Sequence, residues 1–304
     1  MTNCTHMEIG SVHFSINSKL SNMLQEPEPA YRSFSGKMNN HSGRRPADIQ
    51  IHLQIGSMPN TKYFTKLFDS NQSWAMFQDE DNYCLTLNPP AFKQASWLAR
   101  INRDFTQATV YCNEKLVSRK NGRNVLSNPV SYPLNQILLM YILARKQGAL
   151  LHAAGIDING NGYIFPGKSG AGKSTITRQL AVREDIGLLS DDRIVVRKMD
   201  GAFRAYGTPW PGEAGIAINK SVPLSGIFFI NHASYNRIKQ ITPGQALKRL
   251  LPVTSIPWYD REIMSEILTF CEDLILNVPI YELYFKPSVE VVDVFEKFVS
   301  ETAN

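Results

Sequence analysis

Apolar and polar residues alternate with a period of two at Asp48–Ile55, Trp74–Phe77, Tyr83–Leu87 and Ala108–Cys112. That period marks strands whose side chains point alternately to two faces. Turn formers separate the runs: Arg44-Arg45-Pro46, Asp79-Glu80-Asp81-Asn82 and Asn88-Pro89-Pro90. Residues 1–128 therefore read as a β-rich accessory domain. The period changes near Leu134, where Leu134, Ile137, Leu138, Tyr141 and Ile142 recur at helical spacing. Pro133 suits a first turn and Gly148 suits a stop. A helix over Leu134–Gln147 is predicted, within a bridging segment at 129–148.

Residues 149–304 mix both periods, which predicts an α/β domain. Strands are expected at Ala149–Asp157 and Tyr163–Pro166, joined by Asn159-Gly160-Asn161-Gly162, a strong hairpin signal. A helix over about Lys173–Val182 follows, then a strand at Gly187–Ser190. Ile194–Lys198 and Phe203–Tyr206 flank Asp200-Gly201, a second hairpin signal. Leu224–Ile230 reads as a buried strand, and Thr242-Pro243-Gly244-Gln245 as a capping-box helix start. A helix from about Tyr259 to Leu276, a strand at Ile280–Phe285 and a helix at Ser288–Val299 close the chain.

Composition narrows the function classes. The chain has 304 residues, 43% hydrophobic and 19% charged, with a net charge of +5. These are the proportions of a globular protein. No apolar run approaches the roughly 18 residues that span a bilayer, so no membrane partner is expected. The N-terminus carries His6 and Glu8 and lacks a basic region followed by an apolar one, so no signal peptide is read. Cys4, Cys84, Cys112 and Cys271 are scattered without a CxxC pair, which argues against zinc and against a disulfide framework. A reduced, cytoplasmic setting is the simplest expectation. The densest basic stretch, Arg32–Arg45, has no aromatic interleaving for base stacking. It reads as a surface loop, and no nucleic-acid partner is expected.

The chemistry centres on Gly167-Lys168-Ser169-Gly170-Ala171-Gly172-Lys173-Ser174, a complete G-x-x-x-x-G-K-[ST] phosphate loop. Its glycines let successive N–H groups point into one concave nest, and the helix N-terminus behind it attracts anions. Gly167, Ser169, Gly170, Ala171, Gly172, Lys173, Ser174 and Thr175 are the expected nucleotide-binding residues. Lys173 reaches the β- and γ-phosphates, the Ser174 hydroxyl suits Mg²⁺, and Thr175 suits a hydrogen bond at the helix start. ATP is the commoner nucleotide for such a loop.

Leu188-Leu189-Ser190-Asp191-Asp192 puts two carboxylates at the end of an apolar strand, 18 positions after Lys173. One helix and a turn fit that interval, so the strand is expected beside the strand that precedes the phosphate loop. One carboxylate suits magnesium and the other suits the proton of an attacking hydroxyl. Spacing does not assign which does which. If the hairpin turn is centred between Gly160 and Asn161, His152 lies opposite Ser169 at the mouth of the loop. It is there either a ligand of a carboxylate or phosphate, or a structural histidine between Leu151 and Ala153. Because its partner strand is tied by a tight turn, the strand before the phosphate loop is antiparallel to it.

Leu151-His152, the hairpin, the Gly-x-Ser-Gly-x-Gly-Lys-Ser loop and Asp191-Asp192 together resemble the catalytic domain of bacterial HPr kinase/phosphorylase. That family is related in fold to ATP-dependent phosphoenolpyruvate carboxykinases. The resemblance covers Leu150–Arg193 well and the rest of the C-terminal half in outline. It implies a P-loop kinase domain at 149–304 with a mixed, partly antiparallel sheet. It also implies a catalytic set of Asp191 as acid/base, Lys173, and His152 supporting the site, with Asp192 and Ser174 serving magnesium. The acceptor would be a Ser or Thr hydroxyl of a protein or peptide; a small hydroxylated metabolite is the variant. The Glu-(Ile/Val)-Arg-Gly run of that family is replaced by Gly207-Thr208-Pro209-Trp210-Pro211-Gly212-Glu213-Ala214-Gly215, which points to a different acceptor. Glu213 is a candidate for the acidic residue of that run. Lys220, Arg237, Arg249 and Arg261 are candidate cations for the transferring phosphate, Arg249 foremost. A nucleotide-gated binding module is the competing reading, and the second carboxylate argues against it. An ATPase motor is disfavoured because the LSGGQ signature is absent.

Overall fold

The structure, a computed structural model, describes residues 3–18, 23–36, 46–71, 73–88, 95–183, 185–288 and 290–302. Most of the basic stretch after Gly36, Arg44-Arg45 and Pro89-Pro90 lie outside the described residues. The chain divides into two compact units, Met1–Ile142 and Leu143–Asn304. The boundary falls inside helix α1, Leu134–Arg145. Among the described residues, no helix is long and apolar enough to cross a membrane.

The first unit is built on a nine-stranded mixed sheet. Asn3–Ile9 and Val12–Ser18 form a hairpin. Val12–Ser18 runs parallel to Ile49–Ile55, which runs parallel to Gln107–Cys112. Trp97–Ile101, Asn82–Leu87, Trp74–Asp79 and Thr65–Asp69 follow antiparallel. The first hairpin, Thr65–Asp69 and Trp97–Ile101 go beyond the strands read from the sequence. Val12–Ser18 is buried at almost every position: Val12, Phe14 and Ile16 alternate with His13, Ser15 and Asn17, and the polar face is covered as well. Tyr141 of α1 stacks on Phe105 with centroids 4.1 Å apart. The helix stops at Arg145, two residues earlier than expected. Its left-handed residue is Gln147, with φ +51°. Gly148 already belongs to the next strand, where a Cβ would stand 2.7 Å from the Arg197 side chain.

The second unit holds an eight-stranded mixed sheet. Its strands are β1 (Gly148–Ile158), β2 (Asn161–Pro166), β3 (Ile186–Ser190), β4 (Arg193–Met199), β5 (Ala202–Tyr206), β6 (Ser221–His232), β7 (Arg237–Gln240) and β8 (Ile280–Phe285). Its remaining helices are α2 (Lys173–Leu180), α3 (Pro243–Leu250), α4 (Arg261–Asn277) and α5 (Glu290–Thr302). The two long strands serve twice. Gly148–His152 of β1 pairs with β4, while Ala153–Ile158 pairs with β2. The start of β6 pairs with β5, and its later residues run parallel to β2 on one side and β8 on the other. The carboxyl ends of β2, β6 and β8 therefore emerge together.

The β1–β2 hairpin turns on Asn159 and Gly160, at φ +52° and +84°, with Ile158 opposite Asn161. This is a type I′ turn, which needs positive φ at both central residues and suits the twist of the strands. The turn thus lies one residue earlier than the centre read from the sequence. β3 also departs from expectation. It pairs with β1, not with the phosphate-loop strand β2. The hairpin partner β1 already occupies that edge of β2, and β6 occupies the other.

Tyr163 and Phe165 of β2 pack with Phe228, Phe285, Phe295 and Ile176 in one core that joins the sheet to α2 and α5. On β2, Gly162 lies so close to β6 that a Cβ would stand 2.6 Å from the Val222 side chain and 2.8 Å from the Pro223 carbonyl oxygen. Gly162→Ala is therefore expected to cost about 1–3 kcal/mol by overpacking, measured by chemical denaturation of the full chain. An unchanged midpoint would refute the tight apposition of β2 on β6.

Candidate active site

The phosphate loop leaves β2 at Gly167 and enters α2 at Lys173. Gly170 and Gly172 hold φ of +80° and +96°, a region that side chains resist. The loop closes through Ala171 N–H to Lys168 O at 3.1 Å, and α2 starts with Thr175 and Ile176 N–H on Gly172 O at 3.1 and 3.0 Å. Thr175 makes its helix-start bond through the backbone. The N–H groups of Ser169, Gly170, Gly172, Lys173 and Ser174 have no partner among the described residues. They are the donors left for an anion.

Lys173 is buried, and its ammonium donates to Gly167 O at 2.8 Å and to Lys168 O at 3.2 Å. Its Nζ also lies 2.9 Å from His152 Nε2. Burial lowers the Lys173 pKa; the Asp192 and Asp191 charges oppose that and Arg193 adds to it, and the net shift is downward. His152 Nε2 stands 2.8 Å from Asp192 Oδ1. One ring nitrogen thus faces both partners. Protonated, it donates to Asp192; bare, it accepts from Lys173. Burial raises the Asp192 carboxyl, but the hydrogen bond from His152 and the charges of Arg193, His152 and Lys173 outweigh it. The carboxyl is held below the usual carboxylate range.

The hairpin register explains how His152 comes here. Gly167 N–H donates to His152 O at 3.0 Å, so His152 faces Gly167, not Ser169 as expected. The difference is two residues, which keeps the same face of the strand. On its other side His152 is the cross-strand partner of Arg193, and Ala153 N–H donates to Asp192 O at 3.0 Å. β1 therefore ties the phosphate loop to the aspartates.

The two aspartates differ sharply. The Asp192 side chain is about a third exposed, at 31%. Asp191 is 1% exposed. Its carboxylate accepts from Gly212 N–H at 2.8 Å, Ala214 N–H at 2.7 Å and Ile216 N–H at 3.2 Å. The loop from Gly207 to Ile218 is folded round it, with Thr208 Oγ1 donating to Arg193 O at 2.8 Å and Ile218 N–H to Leu189 O at 3.0 Å. Glu213 is exposed; the backbones of its neighbours, not its carboxylate, reach Asp191.

The expected cations are placed elsewhere. Arg249 donates to Glu282 Oε1 at 2.7 Å and to Ile230 O at 3.2 Å. Lys220 pairs with Asp157 at the hairpin-turn end of β1. Arg237 lies on β7 and Arg261 opens α4, both exposed. The cation beside the site is Arg193, whose Nε is 3.4 Å from Asp192 Oδ2. Its position next to Asp191-Asp192 was the available signal. His232 was also missed: its Nε2 lies 3.3 Å from Gly170 O. Nothing near it in the sequence announces that contact, because 62 residues separate the two.

A comparison with curated proteins finds no match. Among solved structures, the Hpr(Ser) kinase/phosphatase from Coxiella burnetii is similar at 11% sequence identity, over 51% of this chain and 90% of that one, with a TM-score of 0.31. A family model described as SynChlorMet cassette protein ScmC matches residues 129–299, more than half of the chain. The match takes in α1, the phosphate loop, the aspartate pair and the whole sheet of the second unit, and the chain belongs to the ScmC family.

Proposed function

We propose that this protein is a kinase that binds ATP with magnesium at 167–175 and transfers the γ-phosphate to a hydroxyl, a Ser or Thr of a protein or peptide. One observation carries the reading: His152 Nε2 lies 2.9 Å from Lys173 Nζ and 2.8 Å from Asp192 Oδ1, at the mouth of a complete phosphate loop. Phosphoryl transfer asks a protein mainly to position groups and stabilise charge, and this arrangement offers both.

The unpartnered N–H groups of the loop and the partly exposed Ser174 and Asp192 fit a magnesium nucleotide. Ser174 and Asp192 would hold the metal, which offsets charge on the phosphates when bound. With few protein ligands at hand, the rest of its shell would fall to phosphate oxygens and water. Lys173 and Arg193 stabilise charge on the transferring group. The acid/base role expected of Asp191 does not suit its surroundings, because it is buried with both oxygens taken by loop N–H groups. We assign the acceptor's proton to His152, whose ring Asp192 orients, and to Asp191 the anchoring of the 207–218 loop.

The β-rich region at 1–128 is proposed to bind the acceptor. Within the first unit, a cleft is lined by Ser57, Asn60, Thr61, Asn88, Asn113 and Phe77. Asn60 and Asn113 spend their side-chain oxygens on Lys62 and Lys115 N–H, leaving amide donors suited to peptide carbonyls.

Transfer of γ-labelled phosphate from Mg·ATP into a cell extract, split into protein and small-molecule fractions, tests the reading. Label in protein is expected, and Lys173→Ala should reduce it at least about a hundredfold. Label confined to small molecules would redirect the acceptor to a metabolite. Bound ATP with no label above the Lys173→Ala background would leave a nucleotide-gated module.

The two aspartates are separable. Asp192→Asn is expected to slow transfer about 10²–10⁴-fold with nucleotide still bound and stability near wild type. Asp191→Asn is expected to destabilise the chain by about 2 kcal/mol, because its charged acceptor for buried N–H groups is lost. Thermal denaturation alongside the transfer assay decides this. An Asp191→Asn chain that keeps full stability yet loses transfer would return the base role to Asp191.

A further inference from the structure

β2, β6 and β8 run parallel, and ligands of open α/β sheets sit outside the carboxyl ends of such strands. The site described above uses only one side of β2. Lys173, the group that meets terminal phosphates, is turned toward His152 on β1. With the β- and γ-phosphates held on the β1 side, the nucleoside has to leave the loop on the opposite side, past β6 and β8.

That side is built around an aromatic residue. His232 ends β6, and its ring meets the loop at Gly170 O, 3.3 Å away. Three residues on, Tyr235 is 52% exposed and stacks on Tyr284 of β8, with centroids 5.8 Å apart and planes at 20°. Tyr284 is itself fixed, its hydroxyl donating to Glu282 Oε2 at 3.1 Å, and Glu282 is held by Arg249 at 2.7 Å. The segment that carries Tyr235 is pinned at both ends, by Ala233 N–H to Phe285 O at 3.0 Å and Lys286 N–H to Asn236 Oδ1 at 2.8 Å. Single exposed aromatics need no explanation. One stacked on a fixed partner, in a pinned segment three residues from a contact with a phosphate loop, is different.

We infer that Tyr235 is the platform for the base of the nucleotide bound at the phosphate loop, with His232 alongside the path from phosphate to ribose. The inference rests on the nucleotide reading above. The observation at this end is an exposed, stacked aromatic ring, so the recognition assigned to it is stacking, which tolerates any base. The ligand class is a nucleoside triphosphate, with little discrimination between ATP and GTP.

Calorimetric titration of the full chain with the magnesium complexes of ATP, GTP and inorganic tripolyphosphate tests it, on wild type, Tyr235→Ala and Tyr235→Phe. Tyr235→Ala is expected to weaken ATP and GTP to a similar degree, about tenfold or more. Tripolyphosphate should bind as to wild type, and Tyr235→Phe should bind all three normally. Unchanged ATP affinity in Tyr235→Ala, or an equal loss for tripolyphosphate, would overturn the platform while leaving the phosphate site intact. A wild-type chain that binds none of the three would overturn the nucleotide reading and the platform with it.

Discussion

The arrangement depends on the register of one hairpin. Asn159 and Gly160 both hold positive φ, and the turn they make sets Ala153 opposite Pro166. From that register Gly167 N–H falls on His152 O, and on the other edge Ala153 N–H falls on Asp192 O. A slip of one residue would carry His152 to the opposite face of the strand. It would also shift the ladder that ties the phosphate loop most directly to the carboxylates, since among the described residues β3 pairs with β1 and not with β2. In this chain the central strand is thus a spacer, and its His152 spans the width that it adds.

Asp191 fixes a second part of the site by a different means. A buried carboxylate is costly unless hydrogen bonds satisfy it, and here three backbone N–H groups of one loop do so. The cost of burial thereby becomes a constraint on the loop, which must keep Gly212, Ala214 and Ile216 converging. The neighbouring Asp192 is left to face Lys173 and His152. The two adjacent carboxylates lie in the bend between β3 and β4, which sends them into separate environments, one of backbone N–H donors and one of side-chain donors.

Much of this was legible because the signals are local. The phosphate loop, the Asn-Gly hairpin, the Asp200-Gly201 hairpin and the Asp191-Asp192 strand end are each specified within a few residues. The errors came where the outcome depends on competition between distant segments. Spacing alone put β3 beside β2, because nothing in 18 residues of chain reveals that β1 has already taken that edge. Arg249 looked like a free cation at a helix end, but Glu282, 33 residues away, claims it. The strand Val12–Ser18 was a different kind of miss, because Val12, Phe14 and Ile16 do alternate with polar residues and the local signal was there to be read. No neighbouring residue of His232 foretells its contact with Gly170.

The way Asp191 is held also bears on the acceptor. Its partners are main-chain N–H groups, which every residue except proline carries. The side chains of the 207–218 loop are therefore not needed for the anchor, and Glu213 and Ile218 are exposed. A loop fixed by its backbone can change its exposed side chains without disturbing Lys173, His152 or Asp192. That freedom stops at Gly212, where a Cβ would stand 2.9 Å from Asp191 Oδ2, and at Thr208, whose hydroxyl donates to Arg193 O. Under the kinase reading, exposed side chains such as Glu213 are where contacts to an acceptor can vary without moving Asp191.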